Sequence, residues 1–160
     1  MLNKLPDTAR VWVFQGNKFL RDADVQTIQG TLSEFVPQWA AHGNVLYGDF
    51  EILHNLFIVL GVDESKAPPS GCSIDKMMKV IQELSSKLNI DFLNRLITAY
   101  EDEGTIHLAD QQQFKQLVRD GKLNSDSIVF NNLVQNRGEL NSKWRTKVAN
   151  SWHSQLLKVA

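Results

Sequence analysis

Apolar runs and helical spacings alternate along the first part of the chain. Residues 11–14 are four consecutive apolar residues, a pattern typical of a strand that is buried on both faces. Apolar residues then recur at intervals of three and four over residues 25–39, which predicts an amphipathic helix. Pro37 is expected to kink this helix, and Gly43 is expected to end it.

The next two apolar segments predict a β-hairpin. Alternate apolar positions over residues 46–54 indicate one strand, and an almost wholly apolar run over residues 56–62 indicates a second. His54 and Asn55 lie between them, and asparagine tolerates the positive φ angles that a tight turn requires. We therefore expect two antiparallel strands joined at these two residues.

A second helix completes the first unit. After a loop at residues 63–71, the apolar stripe from Ile74 to Leu88 predicts a helix. The order strand, helix, strand, strand, helix is most of a ferredoxin-like sandwich, in which an antiparallel sheet carries helices on one face. We expect this α+β unit to occupy residues 1–94.

The remaining residues, 95–160, predict a small C-terminal subdomain that packs on the first unit. This hairpin–helix–strand unit has too little apolar sequence to build a large core alone. Its expected elements are strands at 96–100 and 105–108, a helix that begins at Asp110, a strand at 127–133 and a short helix at 151–158.

Composition narrows the classes of function. The chain has 160 residues, of which 42% are hydrophobic, and its 17 basic and 18 acidic residues give a net charge of −1. A balanced charge disfavours a nucleic-acid-binding surface, which needs a basic footprint. No apolar stretch is long enough to cross a bilayer, and the first residues do not resemble a signal peptide. We expect a cytoplasmic protein that binds neither nucleic acid nor a membrane.

Four short motifs carry a resemblance to a known family. They are Trp39-Ala-Ala-His-Gly, Ser70-Gly-Cys-Ser-Ile-Asp, Val129-Phe-Asn-Asn-Leu and Ser151-Trp-His. The chain resembles a family of uncharacterised bacterial proteins of about this length, whose members often carry the label ABC transporter ATPase. A P-loop needs a lysine followed by serine or threonine, but the chain's one Gly-Lys pair, Gly121-Lys122, is followed by Leu123. We therefore expect no ATPase activity.

A second, local resemblance concerns residues 96–134. This segment is similar to bacterial GYF-like modules, which have a hairpin, a helix that ends in glycine and then a strand. Eukaryotic GYF domains bind proline-rich peptides through an aromatic groove. The Gly-Tyr-Phe signature is absent from this chain, so the resemblance implies the topology alone.

Cys72 is the single cysteine, and it lies at the start of the second predicted helix. An outward thiol there would lie near amide donors and the positive end of the helix dipole, which stabilise a thiolate. A thiol that points into the sheet would instead be a small apolar core residue. We favour the buried thiol. It predicts slow alkylation and a loss of stability on Cys72→Ser. Either Ser73 or Ser70 can accept a hydrogen bond from an amide of the first helical turn.

The histidines and the tail supply the other candidates. No pair of histidines has a metal-binding spacing, so we expect no metal and no cofactor. A site assembled from His54, Cys72 and His153 remains an alternative. Trp152 is expected to seal the core, although an exposed aromatic contact surface is the alternative.

The lack of any chemistry-bearing spacing favours a non-catalytic binding or adaptor protein, with an unknown protein or small molecule as its ligand. The alternative is a small thiol-dependent enzyme centred on Cys72. The candidate ligand-binding residues are Cys72, Ser73, His54, Trp152 and His153.

Overall fold

Two antiparallel sheets lie face to face, and each carries helices on its outer side. The computed structural model describes residues 1–159 and confirms an α+β fold. The elements follow in the order β1 (Arg10–Gln15), α1 (Asp22–Phe35), β2 (Ala40–Ala41), β3 (Asn44–Val45), β4 (Gly48–Leu53), β5 (Phe57–Val62), α2 (Gly71–Leu88), β6 (Thr98–Asp102), β7 (Thr105–Ala109), α3 (Gln111–Arg119), β8 (Ile128–Phe130), α4 (Arg137–Ser142) and β9 (Arg145–Lys147). Short 3₁₀ segments lie at Leu2–Lys4, Val36–Gln38 and Val148–Asn150, and a longer one at Trp152–Val159.

The first sheet has the strand order β1-β5-β4, and both pairings are antiparallel. The predicted hairpin between β4 and β5 is confirmed, with φ angles of 55° at His54 and 49° at Asn55. Helices α1 and α2 pack on one face, where Ile28 and Ile81 join Leu60 of β5 in one apolar cluster.

The opposite face of this sheet packs on the second sheet. Val59 of β5 and Val11 of β1 share an apolar cluster with Ala99 of β6 and Phe130 of β8. The whole of β5 is therefore buried, because it has apolar neighbours on both faces. This inter-sheet cluster joins residues from both halves of the chain, while the division at residue 94 stays a prediction.

The second sheet has the order β7-β6-β8-β9. Its outer face carries α3 and the tail, where Phe114 and Leu156 pack against Val129. The predicted helix start is confirmed, since the Asp110 side chain accepts a hydrogen bond from the backbone of Gln113.

The predicted end of the first helix was wrong. Helix α1 stops at Phe35, and Pro37 lies in a 3₁₀ turn because proline has no N–H to continue the helical hydrogen bonds. Trp39 follows that turn and is buried. Gly43, with φ of 80°, belongs to the small β2–β3 hairpin rather than to a helix terminus. No helix within residues 1–159 has the length and apolarity to cross a bilayer.

Candidate functional site

A groove of about 800 Å³ runs along one edge of β1. On its other edge β1 pairs with β5 over all six of its residues. On the groove side an isolated bridge joins Arg10 to Asn136 near one end of the strand, and the Asn17 amide donates to the Asp91 carbonyl at 3.0 Å just beyond the other end. Between these two contacts the edge pairs with no strand within residues 1–159, and we call this part the open edge of β1.

The hydrogen-bond alternation of β1 shows which main-chain groups face the groove. The Val11 amide donates to the Gln135 carbonyl on the groove side at 3.0 Å, whereas the Gly16 amide donates to the Leu56 carbonyl on the β5 side at 2.8 Å. Alternate residues of an antiparallel strand direct their N–H and C=O groups to opposite edges. The main-chain groups of Val13 and Gln15 therefore point towards the groove.

The two walls of the groove belong to different apolar clusters. One wall contains Phe92 and Leu93, which pack with the helices on one face of the first sheet. The other contains Phe130 and Val134, which belong to the cluster between the two sheets. Leu133 lies in this second wall with 57% of its surface exposed. Thus the open edge of β1 lies between two partly apolar surfaces.

A buried polar network ties β1 to both walls. The Gln15 side chain, 7% exposed, donates to the Ile97 carbonyl at 3.0 Å and accepts from Asn132 Nδ2 at 2.8 Å. Asn132 Oδ1 in turn accepts a hydrogen bond from Trp144 Nε1 at 2.9 Å. Because each amide has several bonds in fixed directions, these contacts hold the groove-lining segments in place.

Two arginines and one glutamate line the groove. The Arg10 guanidinium lies 4.8 Å from the Trp12 ring centroid and 3.8 Å from a carboxylate oxygen of Glu64. Arg95 is exposed, and no carboxylate within residues 1–159 lies within 4.0 Å of its guanidinium. The charged side chains therefore leave the groove with one unneutralised positive charge.

Trp152 and His153 also line the groove. Their rings stack with centroids 4.0 Å apart, and His153 Nδ1 lies 2.8 Å from the Ser151 hydroxyl oxygen. His153 is only 1% exposed, and this burial lowers its pKa from 6.5 to about 4. The imidazole is therefore neutral at physiological pH.

Cys72 and Ser73 lie away from these groove-lining residues, at the start of α2. Ser70 caps this helix by accepting from the Ser73 amide at 3.1 Å, while the Ser73 carbonyl accepts from Trp39 Nε1 at 2.8 Å. The expectation of a buried thiol was wrong, because Cys72 is exposed. The buried stripe of α2 begins at Ser73 and continues at Met77, so residue 72 falls on the solvent side.

His54 lies at a different cavity, of about 300 Å³, with its ring 5.8 Å from both Phe130 and Trp144. Nearby, Arg145 makes a bidentate ion pair with Glu101, with both contacts at 2.6 Å. The hydrogen bonds from Arg145 lower the pKa of Glu101. No three histidine, cysteine or acidic side chains within residues 1–159 are placed to hold a metal ion, so the alternative built from His54, Cys72 and His153 is not formed.

Of the five candidate residues, Trp152 and His153 line the groove and the other three do not. The apolar pattern of β1 gave no signal for the groove, since it shows that both faces are buried but not which edge is paired. No motif or spacing in the sequence marks Leu133 or Arg95 as residues that line a groove.

No protein-family model, curated protein or solved structure matches this chain. The resemblances to the ABC-labelled family and to GYF-like modules therefore stay predictions. The Gly-Lys pair lies at a helix end, as predicted: α3 ends at Arg119, and Gly121, with φ of 73°, follows its C-cap residue Asp120.

Proposed function

We propose that this chain is a non-catalytic binding protein whose ligand lies in the groove along β1. The observation that carries the proposal is the open edge of β1 at the bottom of a groove of about 800 Å³. That volume lies within the range of ordinary ligand sites, which are mostly apolar with a few polar groups that fix orientation.

The lining of the groove suits binding better than chemistry. Its polar groups are main-chain amides, side-chain amides, a threonine, two arginines and Glu64, whose carboxylate lies 3.8 Å from the Arg10 guanidinium. Amides and arginines recognise ligands but seldom transfer protons near neutral pH. His153 stays neutral, and its Nδ1 faces Ser151, which also accepts from the His153 amide at 3.2 Å. This short-range arrangement is a local turn, which explains the Ser151–His153 contact without a catalytic role.

A displayed library of random peptides of about twelve residues, selected against the immobilised full chain, tests this function. We expect recovered peptides to bind the unmodified chain in calorimetry and to bind Leu133→Asp at least about tenfold more weakly. The matched control is Phe19→Asp, because Phe19 is another exposed apolar residue, at 45%, but does not line the groove. Recovery of no binding peptide, or equal binding to Leu133→Asp and the unmodified chain, would contradict the proposal.

The exposure of Cys72 supports a second candidate, a small thiol-dependent enzyme. Its thiol lies at the second residue of an 18-residue helix and is exposed, so a substrate can reach it from solvent. Native protein incubated with an excess of iodoacetamide tests this candidate. A rate well above that of the urea-unfolded chain at the same pH supports an activated thiol, while an equal or lower rate opposes it.

A further inference from the structure

We propose that the occupant of the groove is an extended segment of another protein, which carries an acidic side chain and adds to the first sheet as a fourth strand beside β1. This inference rests on the proposed function, because it names the ligand class of the same groove.

The open edge of β1 matches the backbone of an extended chain. Val13 and Gln15 direct their N–H and C=O groups outward, at the spacing that an added strand requires. The bridge between Arg10 and Asn136 already occupies one end of this edge and shows that antiparallel pairing is accommodated there. A strand that enters beyond this bridge would continue the sheet.

In the topology of the first unit, the position beside β1 on its groove side is taken by no strand within residues 1–159. A strand–helix–strand–strand–helix–strand unit has its last strand beside the first. In this chain α2 is followed by residues 89–97, which form no strand, and the next strand, β6, belongs to the second sheet. An incoming segment can therefore take the place of the missing strand.

The walls of the groove favour a single extended strand as the occupant over a second copy of this chain. Leu93 stands on one side of the open edge and Leu133 on the other. If two copies approached edge to edge, the same walls of each copy would meet before their β1 strands could pair. A single extended segment needs a width of about 5 Å beside β1 and avoids that collision.

The side chains of an added strand would alternate between the two walls. One set would contact Met78 and Leu93, and the other would contact Leu133 and Trp152. Because contacts at Val11 and Asn17 close the two ends of the edge, it accommodates about four residues of an added strand at about 3.3 Å per residue. The walls therefore favour apolar or β-branched side chains.

Charge complementarity favours an acidic residue in the segment. Arg95 has no carboxylate partner within residues 1–159, and the neutral His153 adds no charge to the groove. An aspartate, a glutamate or a terminal carboxylate would neutralise this arginine through charge-assisted hydrogen bonds.

The test uses a designed peptide of about eight residues that alternates valine and threonine and carries one glutamate. Two derivatives are N-methylated at alternate amides, one set at odd positions and one at even positions. Because only one set of amides faces β1, we expect one derivative to lose at least about tenfold in affinity while the other binds like the parent. In hydrogen exchange followed by NMR, the parent peptide should protect the amides of Val13 and Gln15.

The charge is tested in the same titrations. Arg95→Gln should weaken the glutamate peptide about threefold to fivefold and leave a glutamine version of the peptide unchanged. Lys143→Gln is the matched control, since Lys143 is an exposed cation that does not line the groove.

Three results would overturn strand addition. They are no binding of the parent peptide at about 1 mM, equal sensitivity to both methylated sets, and binding without protection of Val13 and Gln15. In each case, if peptides from the random library still bind the unmodified chain more tightly than Leu133→Asp, the proposed binding function is supported although strand addition is not. If sedimentation instead shows a dimer that protects these two amides without peptide, the occupant is a second copy and the proposal is wrong.

Discussion

Acidification should destabilise the fold through His153 before carboxylates contribute. Its ring lies beside Trp152 and 6.4 Å from the Phe114 ring centroid, and its nearest polar partner is the uncharged hydroxyl of Ser151. Burial in these surroundings lowers its pKa from 6.5 to about 4. The unfolded chain therefore binds a proton as the pH falls below 6.5, while the folded chain does not, and stability falls with pH.

The magnitude follows from the two pKa values. Proton linkage gives a loss in the free energy of unfolding of about 2 kcal/mol between pH 7.5 and pH 5, and of about 3 kcal/mol by pH 4. Glu101 acts in the same direction but at lower pH, because its folded pKa lies below its ordinary value of 4.5 and its contribution is lost only as the pH falls below that value. Between pH 7.5 and pH 5, His153 therefore contributes more to the loss in the free energy of unfolding than Glu101 does.

Urea unfolding at intervals between pH 7.5 and pH 5 measures this effect. His153→Gln removes the titrating ring and should flatten the dependence, even if it lowers stability at every pH. His107→Gln is the matched control, because His107 is exposed. This variant should keep the full dependence of stability on pH. If unmodified protein and His153→Gln show the same slope, burial does not depress the proton affinity of His153.

Three further predictions test other parts of the structure. Iodoacetamide should label Cys72 in the native protein, and Cys72→Ser should change the free energy of unfolding by less than about 0.5 kcal/mol; labelling only after unfolding would contradict the exposed position. Trp39→Phe should cost about 1–3 kcal/mol in urea unfolding, because the buried hydrogen bond from the indole to the Ser73 carbonyl is lost, whereas Trp12→Phe should cost less; an equal cost would contradict this explanation. The inter-sheet cluster should give one cooperative transition by fluorescence and circular dichroism, and separate transitions, or a folded fragment of residues 95–160, would contradict it.

Much of the local structure could be predicted from short-range signals. The apolar run at residues 11–14, the His54-Asn55 turn and the Asp110 cap each depend on a few neighbouring residues, and the structure contains all three. Elements with little apolar content were missed. Strand β9 consists of arginine, threonine and lysine, and α4 is mainly polar, so neither has a periodic apolar face.

The positions of single side chains and of strand edges were harder to predict. Cys72 lies one residue before the buried Ser73, and a shift of about 100° around the helix turns a core position into an exposed one. The groove depends on which edge of β1 is left unpaired, and that is decided by where residues 89–97 and 130–136 run in three dimensions. No local pattern in β1 encodes the course of these distant segments.

An open strand edge is normally a hazard, because unpaired N–H and C=O groups recruit the edges of other chains. In this chain the open edge of β1 is the cause both of the risk of self-association and of the proposed binding function. The walls of the groove would decide which of the two occurs. Leu93 and Leu133 line the groove beside Val13, and in the proposed arrangement they would admit one extended segment but obstruct a second folded sheet. The walls that would confer specificity for a single strand are therefore also the features that would keep this chain from pairing with itself.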